Sequence, residues 1–179
     1  MPLARFLSAI RAVRPTLTLI SSAVVEAIVL AEGPIGTAES VARALGLRNR
    51  FQLARLLEEE GLPPLHRLAE WMTVLSWVVC AERTQVSLCW MAFRSRRHPS
   101  ACYRLVKKIT GLRWEEVQAK GSTWLMQEFL KEIRAHARRA QQYGSASSPI
   151  LRQSSGRALR ALRYGVSTRF PAIPNDSPN

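Results

Sequence analysis

Residues 37–62 read TAESVARALGLRNRFQLARLLEEEGL, and residues 87–112 read SLCWMAFRSRRHPSACYRLVKKITGL. Shifted by 50 positions, like falls on like. Thr37 meets Ser87, Val41 meets Met91 and Ala42 meets Ala92. Further along, Leu53 meets Tyr103, Leu56 meets Val106, Gly61 meets Gly111 and Leu62 meets Leu112. Each match has a physical job. A hydroxyl at Thr37 or Ser87 is a natural helix N-cap, with Ser40 at the capping-box position of the first. Ala42 and Ala92 are small enough for two helices to cross closely, the next two pairs suit the core side of a second helix, and the glycines stop it. A helix of about 8 residues, a turn of about 3–4 and a helix of about 12 is the proportion of a helix-turn-helix unit. Two such units are therefore predicted. The alternative is a plain helical bundle with accidental self-similarity.

Outward from these units the hydrophobic periodicity stays helical, with no sustained strand-like alternation. A first helix is expected over about 17–32, ended by the breaker pair Gly33-Pro34. Pro63-Pro64 open a long helix over about 65–81, in which Leu68, Trp71, Leu75 and Val78 form one inward stripe. Trp71 and Trp77 are expected to pack one against each unit, with Trp71 central enough to touch both. Trp114 should plug the base of the second unit, while Trp90 and Trp124 suit either core or groove edge. A last helix is expected over about 124–142. The fold class is thus all-α: two helix-turn-helix units joined by a linker helix, about seven core helices, plus a C-terminal helix and a disordered tail. The corresponding divisions are a basic N-terminal segment (1–16), first unit (17–63), linker helix (64–83), second unit (84–121), C-terminal helix (122–143) and tail (144–179). The tail is rich in Ser, Pro and Arg, too polar to offset its ordering entropy, and is expected to be disordered.

Charge narrows the function. Of 179 residues, 26 are Lys or Arg and 13 are Asp or Glu, a net charge of +13. Residues 37–121 carry 14 basic and 8 acidic groups, and the tail from Gly144 carries 5 and 1. The predicted fold is basic, and the tail adds to it. An excess of this size favours a polyanionic partner, because neutralised phosphates release condensed counterions.

Other classes find little footing. Cys80, Cys89 and Cys102 are odd in number, lie in apolar stretches and lack metal-ligand spacing, so all three are expected to be buried free thiols of a reducing compartment. His66 and His136 have no partners at ligand spacing. The longest apolar run, from Leu17 to Ala31, falls short of the roughly 20 residues of a membrane span. The opening stretch, with Arg5, Arg11 and Arg14, resembles a transit peptide, but Pro15 interrupts it and no clear cleavage site follows. Cytoplasmic residence, at the nucleoid when bound, is the expectation. No phosphate loop, nucleophile–base arrangement or apolar-framed carboxylate pair points to an enzyme, and no cofactor or metal is expected.

In a helix-turn-helix unit the second helix lies in the major groove and its N-terminal half meets base edges. In the first unit the candidates are Arg48, Asn49, Arg50 and Gln52. In the second they are Arg94, Arg96, Arg97, His98 and Ser100, with Arg104, Lys107 and Lys108 further along. Arg forks onto guanine, and Asn or Gln onto adenine. Of the ten residues from Arg94 to Tyr103, seven are polar or charged and none is acidic, unlike the mixed signs of a solvated face. Glu58, Glu59 and Glu60 must point away from phosphate, toward solvent or a partner.

These residues together resemble the DNA-binding region of AraC/XylS-type transcription regulators, over about residues 20–118. The likeness rests on Val41-Ala42, Gly46-Leu47, Leu56 and Gly61-Leu62 in the first unit. In the second it rests on Met91-Ala92, Tyr103, Val106, Gly111-Leu112 and Trp114. The resemblance implies a seven-helix fold, two recognition helices in successive major-groove segments, and no catalytic residues. Three features depart from the family: Gln52 replaces an apolar residue, Arg96 and Arg97 replace the usual Gly-Phe, and the second unit is one residue shorter. The chain resembles the short members, without an effector-sensing domain, or a fragment of a longer regulator. The expected partner is double-stranded DNA, bound by a single chain, with RNA polymerase or another regulator as a further candidate. The rivals are a degenerate helix-turn-helix module that binds an acidic protein, and a non-specific nucleic-acid binder.

Overall fold

Thr37 and Ser87 cap their helices: each holds extended backbone, and its hydroxyl accepts the amide three residues on, Ser40 at 3.1 Å and Trp90 at 3.2 Å. The computed structural model describes residues 2–144, which are all-α, with no strand among them. The helices are α1 (Pro2–Val13), α2 (Leu19–Leu30), α3 (Ala38–Ala44), α4 (Arg50–Glu59), α5 (Leu65–Thr84), α6 (Leu88–Arg94), α7 (Pro99–Thr110) and α8 (Trp114–Gly144). The tail read as disordered lies outside the described residues, Gly144 excepted.

The 50-residue repeat extends to the backbone. Leu47 N donates to Ala42 O at 2.9 Å, and Arg97 N to Ala92 O at 2.8 Å. Gly46 N reaches Arg43 O and Arg96 N reaches Phe93 O, both at 3.0 Å. These bonds close α3 and α6 alike. The turn that follows is one residue shorter in the second pair, with Asn49 preceding α4 but His98 preceding α7. The register of α7 moves accordingly. Leu53 and Leu57 are buried in α4, whereas α7 buries Cys102, Val106 and Ile109. The expectation that Tyr103 belongs to the core is corrected: it is 38% exposed, and Cys102 takes the place equivalent to Leu53. Leu56 is only half-buried.

α5 runs through the middle and is covered by α2, α6, α7 and α8. Leu68, Leu75 and Val78 are buried, but so are Ala69, Met72 and Val74, so the expected single stripe is instead burial all round. Residues 71–78 in the middle of α5 are buried but for half-buried Ser76, and a stretch apolar on nearly every side must be enclosed. Trp71 is buried, and its ring packs on α8. Its ring lies 5.5 Å from Phe129 of α8, which stacks on Phe6 of α1 at 5.0 Å. The indole Nε1 donates to Glu132 Oε2 at 2.8 Å, and Arg67 forks onto both oxygens of that carboxylate, each at 2.8 Å. Burial pushes the Glu132 carboxyl up, but the bonds from Arg67 and Trp71 outweigh it and hold the group below its ordinary range. Trp77 does face the second helix pair, and Trp114 is buried at its base.

α1 replaces the plain basic segment. Phe6 and Ile10 are buried against the core, while Leu7 and Val13 pack beside them. Two of the arginines that suggested a leader make contacts in the fold: Arg11 pairs with Glu26, and Arg14 donates to the carbonyl of Glu60. α8 also begins earlier than expected and breaks at Gly121, where φ is 78° and ψ is 174°. Glu82 accepts from Ser122 N at 2.6 Å and Ser122 Oγ at 2.7 Å, placing a carboxylate at the start of the second segment. Of the three free cysteines only Cys102 is buried; Cys80 and Cys89 are half-buried. Burial pushes the Cys102 thiol up, more than nearby Arg97 lowers it.

Candidate nucleic-acid interface

The cations are not shared evenly between the two helix pairs. Residues 37–61 hold four basic side chains (Arg43, Arg48, Arg50, Arg55) and four acids (Glu39, Glu58, Glu59, Glu60). Residues 88–110 hold six (Arg94, Arg96, Arg97, Arg104, Lys107, Lys108) and no acid. All six are exposed. On α7 the buried residues Cys102, Val106 and Ile109 turn Ser100, Arg104 and Lys107 outward along one face, at steps of four and three. Lys108, one turn beyond Arg104, is drawn toward α5. Its Nζ lies 2.5 Å from Glu70 Oε1 on α5, so its charge is partly neutralised.

The turn before α7 is built by the basic residues themselves. Arg96 adopts φ 54°, the left-handed region that Gly46 adopts at 73° in the first turn. Here an Arg occupies a conformation that costs a side chain about 1–2 kcal/mol. Arg97 lies with its guanidinium 5.8 Å from the Trp77 ring, and Arg94 lies 5.2 Å from the ring of Trp90. His98 Nδ1 and Ser100 Oγ are 2.8 Å apart, which fixes the imidazole at the start of α7. Trp90 and Phe93 are 46% and 67% exposed on α6, outside the core.

In the first pair the polar candidates are largely occupied in holding α4. Asn49 Oδ1 accepts the amides of Phe51 and Gln52, both at 3.0 Å, as an N-cap. Gln52 Oε1 accepts Arg48 N at 2.9 Å, so this side chain ties the turn to α4. The amide nitrogens of both side chains remain as donors. Arg48 and Arg50 are exposed, the latter 4.9 Å from the Phe51 ring. Glu39 Oε2 accepts Arg50 N at 3.2 Å, so a carboxylate already stands at the start of α4. Two of the three acids at the other end have side-chain partners, and Glu58 is exposed. Glu59 pairs with Arg55 at 2.7 Å, and Glu60 takes Thr18 N at 3.0 Å and Thr18 Oγ1 at 2.5 Å, so Glu60 pins α4 to α2 rather than facing solvent.

Between the two pairs lies a cleft of about 400 Å³. Arg50, Leu53 and Leu57 of α4 form one wall, Arg97 and Leu105 the other, and α5 the floor. Local periodicity carries no trace of it, because it exists only where separate elements fail to meet. Among the described residues no three His, Cys, Asp or Glu side chains converge as a metal site. No helix among them is long and apolar enough to cross a membrane. Comparison of the chain with protein-family models, curated proteins and solved structures returned no match.

Proposed function

We propose that this chain is a sequence-specific DNA-binding transcription regulator, similar in plan to the AraC/XylS-type regulators. In this reading α3–α4 and α6–α7 are its two helix-turn-helix units, docked on one duplex by a single chain. The observation that carries the proposal is the exposed set of six cations on α6, the turn and α7, elements that contain no acid. Arg104 and Ser100 on the outward face of α7 are the base-reading candidates, and Lys107 with the Arg94–Arg97 turn binds phosphate. α4 contributes less charge and reads through Arg48, Arg50 and the free amide nitrogens of Asn49 and Gln52. The reading needs no cofactor; RNA polymerase or another regulator is the class of protein partner, at the nucleoid.

Selection from random DNA with purified protein at about 150 mM salt tests this. The expected motif is asymmetric, with two read segments about 10 bp apart. A palindrome bound by two chains, or no enriched motif, overturns it. A second reading has one specific support, the balanced charge of the first pair with Glu39 at the start of α4. If that pair contacts a protein instead, the selected motif contains one segment only.

A further inference from the structure

We infer that the cleft between α4 and α7 is a binding site for a small aromatic alcohol, an effector site inside the double helix-turn-helix itself. The cleft holds about 400 Å³, within the roughly 300–1,000 Å³ of small-molecule sites. Its walls are mainly apolar, with Leu53, Leu57 and Leu65 beside Leu105 of α7. An apolar body is the first requirement on an occupant.

The polar groups set the rest. Glu70 lines the cleft from α5; its Oε1 takes Lys108, while its Oε2 is buried with no hydrogen-bond partner. A buried carboxylate oxygen left unpaired is unfavourable, and a donor brought by a ligand relieves it. That same oxygen repels a carboxylate or phosphate set against it. Arg50 and Arg97 also line the cleft and disfavour an ammonium group. For the group that meets Glu70, a neutral hydroxyl remains. The two guanidinium groups already stand against aromatic faces, Arg50 at Phe51 and Arg97 at Trp77, and an aromatic ligand ring offers them the same contact. Since α4 and α7 form opposite walls, an occupant holds the two helices at a fixed separation. This last step rests on the proposed function; the binding itself does not.

The test uses the full chain and 2-naphthol, with 2-naphthoate and 2-naphthylmethylamine as the anionic and cationic counterparts. Calorimetry should give a 2-naphthol Kd on the order of 0.1 mM. The two charged analogues should bind at least about tenfold more weakly, and Glu70→Ala should weaken 2-naphthol by about tenfold, one charge-assisted hydrogen bond. Ala54, exposed on α4 at the cleft wall, becomes a plug as Ala54→Trp, which should abolish binding. Should that variant fold poorly, magnetisation transfer from 2-naphthol to the methyl groups of Leu53, Leu57 and Leu105 in the parent decides the location. No binding by 2-naphthol, tighter binding by either charged analogue, or transfer to other methyl groups overturns the site. With DNA carrying the selected motif, saturating 2-naphthol should change affinity by at least about fivefold. Binding in the cleft without such a change overturns the effector role.

Discussion

Arg96 stands on the same left-handed backbone as Gly46, fifty residues earlier, at φ 54° against 73°. A glycine adopts that region freely, and a β-carbon does not. On the proposed function, Arg96 is kept in this strained position because the turn binds phosphate. Arg96→Gly should therefore raise stability by about 0.5–1 kcal/mol, read as a higher urea midpoint, while weakening DNA binding. The slope of log K against log salt should fall by about one. A variant that is both less stable and unchanged in binding contradicts this account.

The three cations of α7 should separate by position. Arg104→Ala should cost roughly 1–3 kcal/mol on the best site and relax preference at one or two base pairs. Lys107→Ala should weaken all sequences alike and lower the salt slope by about one. Lys108→Ala should change the slope less, since Glu70 holds that charge. Binding curves at a series of salt concentrations, on selected and scrambled duplexes, distinguish the three. An equal fall in slope for Lys107 and Lys108 would place both on phosphate.

Gly61 and Gly111 end equivalent helices with similar backbone, φ 66° and 75°, yet only one is crowded. A β-carbon on Gly61 would lie 2.6 Å from Ala137 Cα on α8, whereas one on Gly111 meets nothing within 4 Å. Gly111→Ala should cost about 1 kcal/mol, the conformational term alone. Gly61→Ala must also push α8 away from α4, for a total of roughly 3 kcal/mol or more. Thermal or urea denaturation of the two variants side by side checks the difference. Equal losses would mean that α8 yields freely.

Glu132 links the fold to pH. Its carboxyl lies below its ordinary range in the folded chain, because the bonds from Arg67 and Trp71 and the nearby Arg67 and His136 outweigh burial. The stability it contributes is complete above the unfolded carboxylate range, near pH 4.3, and is lost as pH falls through the lower folded value. At pH 7 Glu132→Gln should lose about 1.5–3 kcal/mol, through hydrogen bonds to a charged group. The gap to the parent should narrow as pH falls below about 4, in urea titrations at pH 7, 5 and 3. A gap independent of pH would remove Glu132 from the acid response.

Much of the secondary structure was legible in the chain alone, because its signals act within a few residues. The hydroxyls of Thr37 and Ser87 reach amides three positions on, and the glycines at 46, 61 and 111 take the left-handed region wherever they stand. The repeat of 50 follows from such local rules, and so does the all-α class. What only tertiary structure decided involves residues far apart in sequence. The α1 helix has an amphipathic pattern of its own, but Phe6 finds its purpose in Phe129, which no local rule connects to it. Trp71 was readable as buried, not as a partner of Glu132, because direction along an enclosed helix depends on which neighbour arrives at each side. Loss of one residue in the second turn rotated α7, so that Cys102 went inward and Tyr103 outward. Asn49 and Gln52 are legible as candidate base contacts, but only the fold shows that their oxygens hold the start of α4, which leaves the amide nitrogens for that role. The cleft is the extreme case: it is a gap between helices, and a gap has no residues of its own to leave a mark in sequence.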